Sequence, residues 1–345
     1  MLFSYIIPVF NCMPYLRECV DCIAAQGTDS YEILLVDDGS TDGSGALCDD
    51  IQANDKHVKV IHKQNGGAAS ARNVGIEAAS GRYLFFIDGD DTIAPDCIER
   101  LLPCLESEDR LPIFGMAFDF WQNGALRRTD KRSAAFKGEF PIGRLAADLP
   151  AFFEDNVLSS ACNKLFSAAV IEKNHLRFPE GVTLYEDLSF VLRYLTHVDS
   201  VICVPEPLYH YRNELNANHL SRRLSELGTL RQNLVCLNQA LLDFGARWQC
   251  LPPAASVGAE LSMQLLSQHL LLVPHTVKEY AACLPAYCSE PSFLALLTEA
   301  PPLSADSAAL LEDVTQKRFR RIHRRYRLRR AKRALRQTLK KILKR

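Results

Sequence analysis

The residues Phe86-Ile87-Asp88-Gly89-Asp90-Asp91 follow directly on the apolar run Tyr83-Leu84-Phe85. Three carboxylates this close repel and raise one another's proton affinity, so the cluster is costly unless a cation or a set of donors sits among them. In extended backbone, residues i and i+2 point the same way, so Asp88 and Asp90 can face one ligand while Gly89 lets it approach closely. Hard oxygen donors of this kind suit Mg2+ or Mn2+, which take few protein carboxylates together with phosphate oxygens and water. A turn whose acids cap the helix near Pro95 would use the same residues without a metal.

Two further clusters carry related chemistry. In Val36-Asp37-Asp38-Gly39-Ser40-Thr41-Asp42 the last three residues can cap a helix, which leaves Asp37 and Asp38 unexplained. A carboxylate at a strand end can accept from the imide of uracil or from ribose hydroxyls, and an aromatic such as Phe10 on an adjacent strand can pack on a base. Asn65-Gly66-Gly67 opens a helix that carries Arg72, so backbone N–H groups and a guanidinium can meet a diphosphate or the acidic cluster. The turn after the first strand, Pro8 to Pro14, has no GxGxxG, and a P-loop is also absent, which argues against a nicotinamide-binding site or a P-loop nucleotidase. Glu186-Asp187 reads as first-turn acids of a helix. A sugar-transfer site with a diphosphate leaving group needs one more carboxylate to take the acceptor's proton, and this pair is the candidate.

The elements that must position these groups follow from hydrophobic periodicity. Apolar runs at Phe3 to Val9, Tyr31 to Val36, His57 to Ile61 and Tyr83 to Ile87 alternate with helical stretches near 14–26, 42–54 and 67–79. This alternation predicts an α/β fold, a mainly parallel Rossmann-like sheet with helices on both faces, and ligands at the carboxyl ends of its strands. Residues 111–122 read as a further strand, 124–140 as a hairpin or loop, and Val201 to Val204 as a short strand. Beyond 215 the pattern turns helical, with proline breaks at 252, 274 and 301.

The chain of 345 residues has room for a full α/β domain and a smaller unit. Its net charge of −1 hides an asymmetry, because residues 317–345 hold 16 Lys/Arg and no acid, leaving a body of about −17. Phe319, Ile322 and Tyr326, then Leu328, Ala331, Leu335, Leu339 and Ile342, recur three or four apart and are read as one apolar stripe among cations, fit to lie on an anionic membrane surface. Twelve scattered cysteines read as free thiols in a reducing compartment. No run of 18 apolar residues and no basic leader occurs, so the expectation is a cytoplasmic protein, peripheral at the inner face of the cell membrane.

Over residues 1–215 the ordered motifs SYIIPVFN, EILLVDDGSTDGS, NGGAASARNVGIEAASGRYLFFIDGDD, CNKLF, LYEDLSF and PLYHYR resemble the inverting glycosyltransferases of family 2, with the GT-A fold. The resemblance implies a transferase domain at 1–215, followed by a helical region at 216–312 and a basic amphipathic helix at 313–345. It implies a sugar moved from a nucleotide donor, UDP above others, to a hydroxyl of a glycan or lipid-linked acceptor in cell-surface polysaccharide synthesis. Pro8, Phe10, Asp38 and Gly67 would then line the nucleotide, Arg72 the diphosphate, and Asp88 the ribose or sugar. Asp90 with Asp88 would hold Mg2+ or Mn2+, Asp187 would be the base and Glu186 its companion. Asn163 and Lys164 would shape the site, and His210 or His219 could complete the metal site. Nucleic acid is not expected as a partner. The rival readings are a non-catalytic membrane- or nucleic-acid-binding protein on a degenerate transferase fold, and a nucleotidyltransferase, which would need a glycine-rich basic first turn.

Overall fold

The run FSYIIPV has alternate and intervening residues all apolar or small, which suits a strand covered on both faces, and it forms the central strand β1 (Phe3–Val9). The computed structural model describes residues 1–133, 137–154, 157–215, 227–273, 276–300 and 302–342. It divides into two compact units, 1–218 and 219–345.

In the first unit, β1, α1 (Met13–Ala24), β2 (Tyr31–Asp37), α2 (Ser44–Asn54), β3 (Val58–His62), α3 (Ala68–Ala78) and β4 (Tyr83–Phe86) follow the predicted alternation within a residue or two. The sheet order is β3-β2-β1-β4, with β1 parallel to both β2 and β4. The order reverses between β1 and β4, so their carboxyl ends flank the crevice where doubly wound sheets bind ligands. Val9 pairs with Asp37 and Ile6 with Phe86, which sets the Pro8–Phe10 segment beside both acidic strand ends. Glycine at 75 permits the close packing of α3 on β1, since a Cβ there would lie 2.3 Å from Ile6 Cγ2.

The rest of the unit folds back onto this edge. The short β5 (Thr92–Ile93) and α4 (Cys97–Leu101) lead into β6 (Arg110–Gln122) and β7 (Ala125–Arg132), a hairpin as expected. They are followed by β8 (Gly138–Pro141), α5 (Ile142–Ala147), α6 (Leu149–Glu154), β9 (Phe166–Ser167), α7 (Ala168–Lys173), α8 (Glu186–Leu195) and β10 (Ser200–Glu214). β9 joins the first sheet antiparallel to β4, while β5, β10, β6 and β7 form a second sheet in that order, with β8 also on β10. β10 is much longer than the short strand expected at Val201 to Val204. Its prolines at 205 and 207 coincide with register shifts between Val204 and Tyr209, and bulges of this kind let a strand accommodate prolines and continue.

The second unit is helical: α9 (Leu227–Arg247), α10 (Leu251–Leu272), α11 (Val277–Cys288), α12 (Pro291–Glu299), α13 (Ala305–Thr315) and α14 (Phe319–Ile342). The sequence reading set 313–345 apart as a basic helix carrying one apolar stripe. Instead α14 packs on α10, α11 and α13, and Ile322 and Tyr326 are buried there whereas Leu328 is exposed. The single stripe is therefore split. All twelve cysteines are free, most of them buried. Among the described residues no helix is long and apolar enough to cross a membrane.

Candidate active site

Arg72, buried on α3, donates from Nη2 to Asp88 Oδ1 at 2.7 Å and from Nη1 to Asp187 Oδ1 at 2.8 Å. One guanidinium thus ties the end of β4 to the start of α8, across 16 and 115 residues of sequence. The plane of Phe178 lies beneath it, 5.3 Å from Cζ to ring centroid. Burial alone would lower the arginine's proton affinity, but the Asp187 and Asp88 carboxylates drive it well above its usual value.

Asp187 is held from both sides, since its second oxygen accepts from the Ala161 N–H at 3.1 Å. The turn that presents Ala161 is pinned by the pair expected to shape the site. Buried Lys164 donates to the carbonyls of Val157 and Ser160, at 2.8 and 2.5 Å, and to Asn163 Oδ1 at 2.8 Å. Asn163 Nδ2 in turn donates to the carbonyls of Phe114 and Val157. Burial pushes the Lys164 ammonium down to about 7, with Asp187 opposing the shift. Tyr185, just before α8, takes the left-handed φ of 63°, a strained conformation for a non-glycine residue, and this sharp turn delivers Glu186 and Asp187 together at the helix start. Burial, and then the charge of Asp187, push the Glu186 carboxyl up to about 7.

The nucleotide-side candidates sit around the crevice. Phe10 is 42% exposed just beyond β1; Pro8, within β1, is half-buried. Asp38 is buried and accepts from Lys63 Nζ at 2.6 Å and from the N–H groups of Gly66 and Gly67 at 2.9 and 2.8 Å. It organises the Asn65–Gly67 turn, where Gly67 uses a φ of 85° that suits glycine, directly ahead of the helix carrying Arg72. Gly89 also has a packing reason: a Cβ there would sit 2.8 Å from Cys12 Sγ.

The third acid of the cluster is structural. Asp91 is buried and accepts from Tyr209 Oη at 2.6 Å and from the Arg212 N–H at 2.7 Å. Tyr209 Oη also accepts from the Asp88 N–H at 3.2 Å, and Arg212 Nε donates to the Asp90 carbonyl at 3.2 Å. Arg212 itself lies between Trp121 and Tyr15, with ring centroids at 4.4 and 4.9 Å. Burial, together with the charges of Asp90 and Asp88, drives the Asp91 carboxyl well up. From PLYHYR the sequence singled out His210 and missed Tyr209, Arg212 and this role of Asp91. The chain is not extended here, contrary to the expectation from the sequence: the Asp91 N–H donates to the Asp88 carbonyl at 2.9 Å and closes a turn over Asp88–Asp91, so this turn and not strand alternation sets where the three acids point.

Asp88 and Asp90 offer oxygen ligands only, a set that fits Mg2+ or Mn2+ held mainly by the phosphates of a donor. Among the described residues there is no group of three or more His, Cys, Asp or Glu side chains placed to hold a metal. His210 Nδ1 lies 2.9 Å from Asp119 Oδ2, an acid that also accepts from Thr129. His219 lies outside the described residues.

One buried cation thus joins two carboxylates beside the carboxyl ends of β1 and β4. The family model "Glycosyl transferase family 2" matches residues 4–173. The chain is 34% identical over 235 residues to the putative glycosyltransferase EpsH of Bacillus subtilis, a match spanning 65% of this chain and 65% of EpsH. It is 41% identical over 229 residues to the glycosyltransferase GlyG of Streptococcus pneumoniae, spanning 61% of this chain and 70% of GlyG. The crystal structure of S. aureus TarS 1–349 in complex with UDP-GlcNAc shares the fold, with a TM-score of 0.67 at 19% identity over 95% of this chain and 92% of that one. The first unit thus has the GT-A architecture, and the chain belongs to glycosyl transferase family 2.

Proposed function

We propose that this protein transfers a sugar from a UDP-linked donor to a hydroxyl of a glycan or lipid-linked acceptor, with inversion at the anomeric carbon, in cell-surface polysaccharide synthesis. It would work as a peripheral protein at the inner face of the membrane. The observation that carries the reading is the Arg72 bridge, which sets the donor-side Asp88 and the acceptor-side Asp187 on one side chain. The structure of TarS with UDP-GlcNAc supports a uridine nucleotide as donor.

In this reading the base and ribose lie along Pro8, Phe10 and the turn held by Asp38, with Gly67 beside them. Arg72 and Asp88 meet the diphosphate and sugar. A Mg2+ or Mn2+ held by Asp90 and Asp88 would neutralise charge on the leaving diphosphate. Asp187 takes the acceptor hydroxyl's proton as that oxygen bonds to the anomeric carbon; the bond from carbon to diphosphate oxygen breaks, and the electron pair leaves with UDP. Placing two substrates in line supplies most of the rate, and proton removal contributes roughly 10²- to 10⁴-fold. Asn163 and Lys164 act by holding the turn that orients Asp187.

Calorimetry with UDP, with and without Mn2+, tests the donor site. Metal-dependent binding by the native protein that is lost in Asp90→Ala is the expected result. Binding to no nucleoside diphosphate would overturn the transferase reading and leave the non-catalytic one. Asp187→Asn should bind UDP normally and lose transfer by at least about 100-fold; near-normal turnover would remove Asp187 as base.

A further inference from the structure

Helix α14 spends its two sides differently. Ile322 and Tyr326 are buried against the second unit, Tyr326 Oη lies 2.9 Å from Ser267 Oγ, and Arg330 donates to the Leu270 carbonyl at 2.7 Å. The buried Asp313 draws Arg318, Arg321 and Arg325 to within 3.3 to 3.9 Å, and Asp306 takes Arg329 at 3.1 Å. These contacts use the inward side and the available acids. At about 100° per residue, Leu328 and Ala331 lie roughly half a turn around the helix from Ile322 and Tyr326. Both are exposed, Leu328 by 51%, and so are Arg320, Arg324 and Arg327 on the same side. Those three arginines have no ion-pair partner among the described residues, and no acid occurs in the sequence after Asp313.

The reason is legible in the spacing. The steps from Phe319 through Ile322 to Tyr326 are three and four, the step to Leu328 is two, and the sequence then continues with apolar residues at 331, 335, 339 and 342. A step of two turns the stripe to the other side of a helix. The side chains of 333–342 lie outside the described residues.

We infer that α14 is a docked interfacial helix: its inward side anchors it to the second unit, and its outward side, Leu328 and Ala331 ringed by Arg320, Arg324 and Arg327, lies on an anionic lipid surface. Three unneutralised guanidinium groups around an exposed leucine match anionic headgroups over a shallow acyl boundary. The helix does not leave the body to bind. The inference rests on the membrane part of the proposed function and is independent of its sugar chemistry.

The test is co-sedimentation of the full chain with phosphatidylcholine vesicles, with and without phosphatidylglycerol. The native protein should bind only the anionic vesicles, and less so in high salt. The triple variant Arg320→Glu, Arg324→Glu, Arg327→Glu should bind on the order of 100-fold more weakly, since each cation near the surface is worth about a factor of five to ten. Leu328→Asp should also weaken binding, and the fluorescence of Leu328→Trp should shift to the blue on vesicles. Unchanged vesicle binding by the triple variant and Leu328→Asp would overturn the inference. So would loss of a dimer in Leu328→Asp without any vesicle effect, which would assign the face to a second copy, or binding of single-stranded RNA in place of vesicles. Calorimetry with UDP, GDP and CDP on the same variants separates the two readings: vesicle binding without binding of any nucleoside diphosphate would sink the sugar chemistry and leave the helix assignment standing.

Discussion

Arg72 is buried between two carboxylates that keep 33% (Asp88) and 19% (Asp187) of their side chains exposed, and removing a partner from a buried charge costs more than an exposed pair is worth. Arg72, Asp88 and Asp187 therefore hold one another in position, and Asp187 carries no freedom to drift from the site. Its neighbour Glu186 is the titratable group of interest, because burial and the charge of Asp187 raise its carboxyl from an ordinary 4.5 to about 7. The folded protein binds this proton more tightly than the unfolded chain, so the group costs stability progressively as pH rises from about 4.5 to about 7 and the cost is then constant. Glu186→Gln should accordingly be more stable than the native protein at pH 8 and no more stable at pH 4, read by thermal unfolding. If Glu186 serves the acceptor as a carboxylate, kcat/KM of the native enzyme should rise through pH 7 and the Gln variant should lose that limb. A native profile flat across pH 6 to 8 would remove Glu186 from that role. Each acid was legible in the sequence as part of an acidic cluster, and Arg72 as a group able to meet a diphosphate or the cluster after β4. Its bond to Asp187 was not legible, because those two residues are 115 positions apart.

At the scale of elements, β10 decides where the acidic strand end points. Tyr209 stands on this strand and takes both the Asp91 carboxyl and the Asp88 N–H. Tyr209→Phe leaves two buried polar groups short of a partner, so unfolding in urea should come earlier by about 1–3 kcal/mol, with weaker UDP binding through the loosened Asp88–Asp91 turn. An unshifted urea midpoint would show that the hydroxyl does not anchor the turn. Strands β1 to β4 and helices α1 to α3 could be read from hydrophobic runs because each is locally uniform. β10 could not, since two prolines interrupt its pattern and only the bulges, which need a partner strand to exist, carry it through.

Over the whole molecule, a body of about −17 over residues 1–316 is followed by 29 residues holding 16 cations. Asp313 and Asp306 neutralise part of that excess within the second unit, and among the described residues Arg320, Arg324 and Arg327 are left without an acid on one side of α14. Such a side should make membrane binding fall steeply with salt while leaving the chemistry of the first unit untouched. The sequence by itself determined the alternating α/β order, the parallel sheet with acids at its strand ends, the helical second unit and the basic tail, because these follow from patterns repeated within a few residues. Only the tertiary structure decided that Arg72 joins Asp88 to Asp187, that Asp91 turns inward to Tyr209, and that Ile322 and Tyr326 mark the side of α14 that is buried. Those outcomes depend on strand order, register and which faces meet, and interactions between distant residues become definite only when the chain has packed.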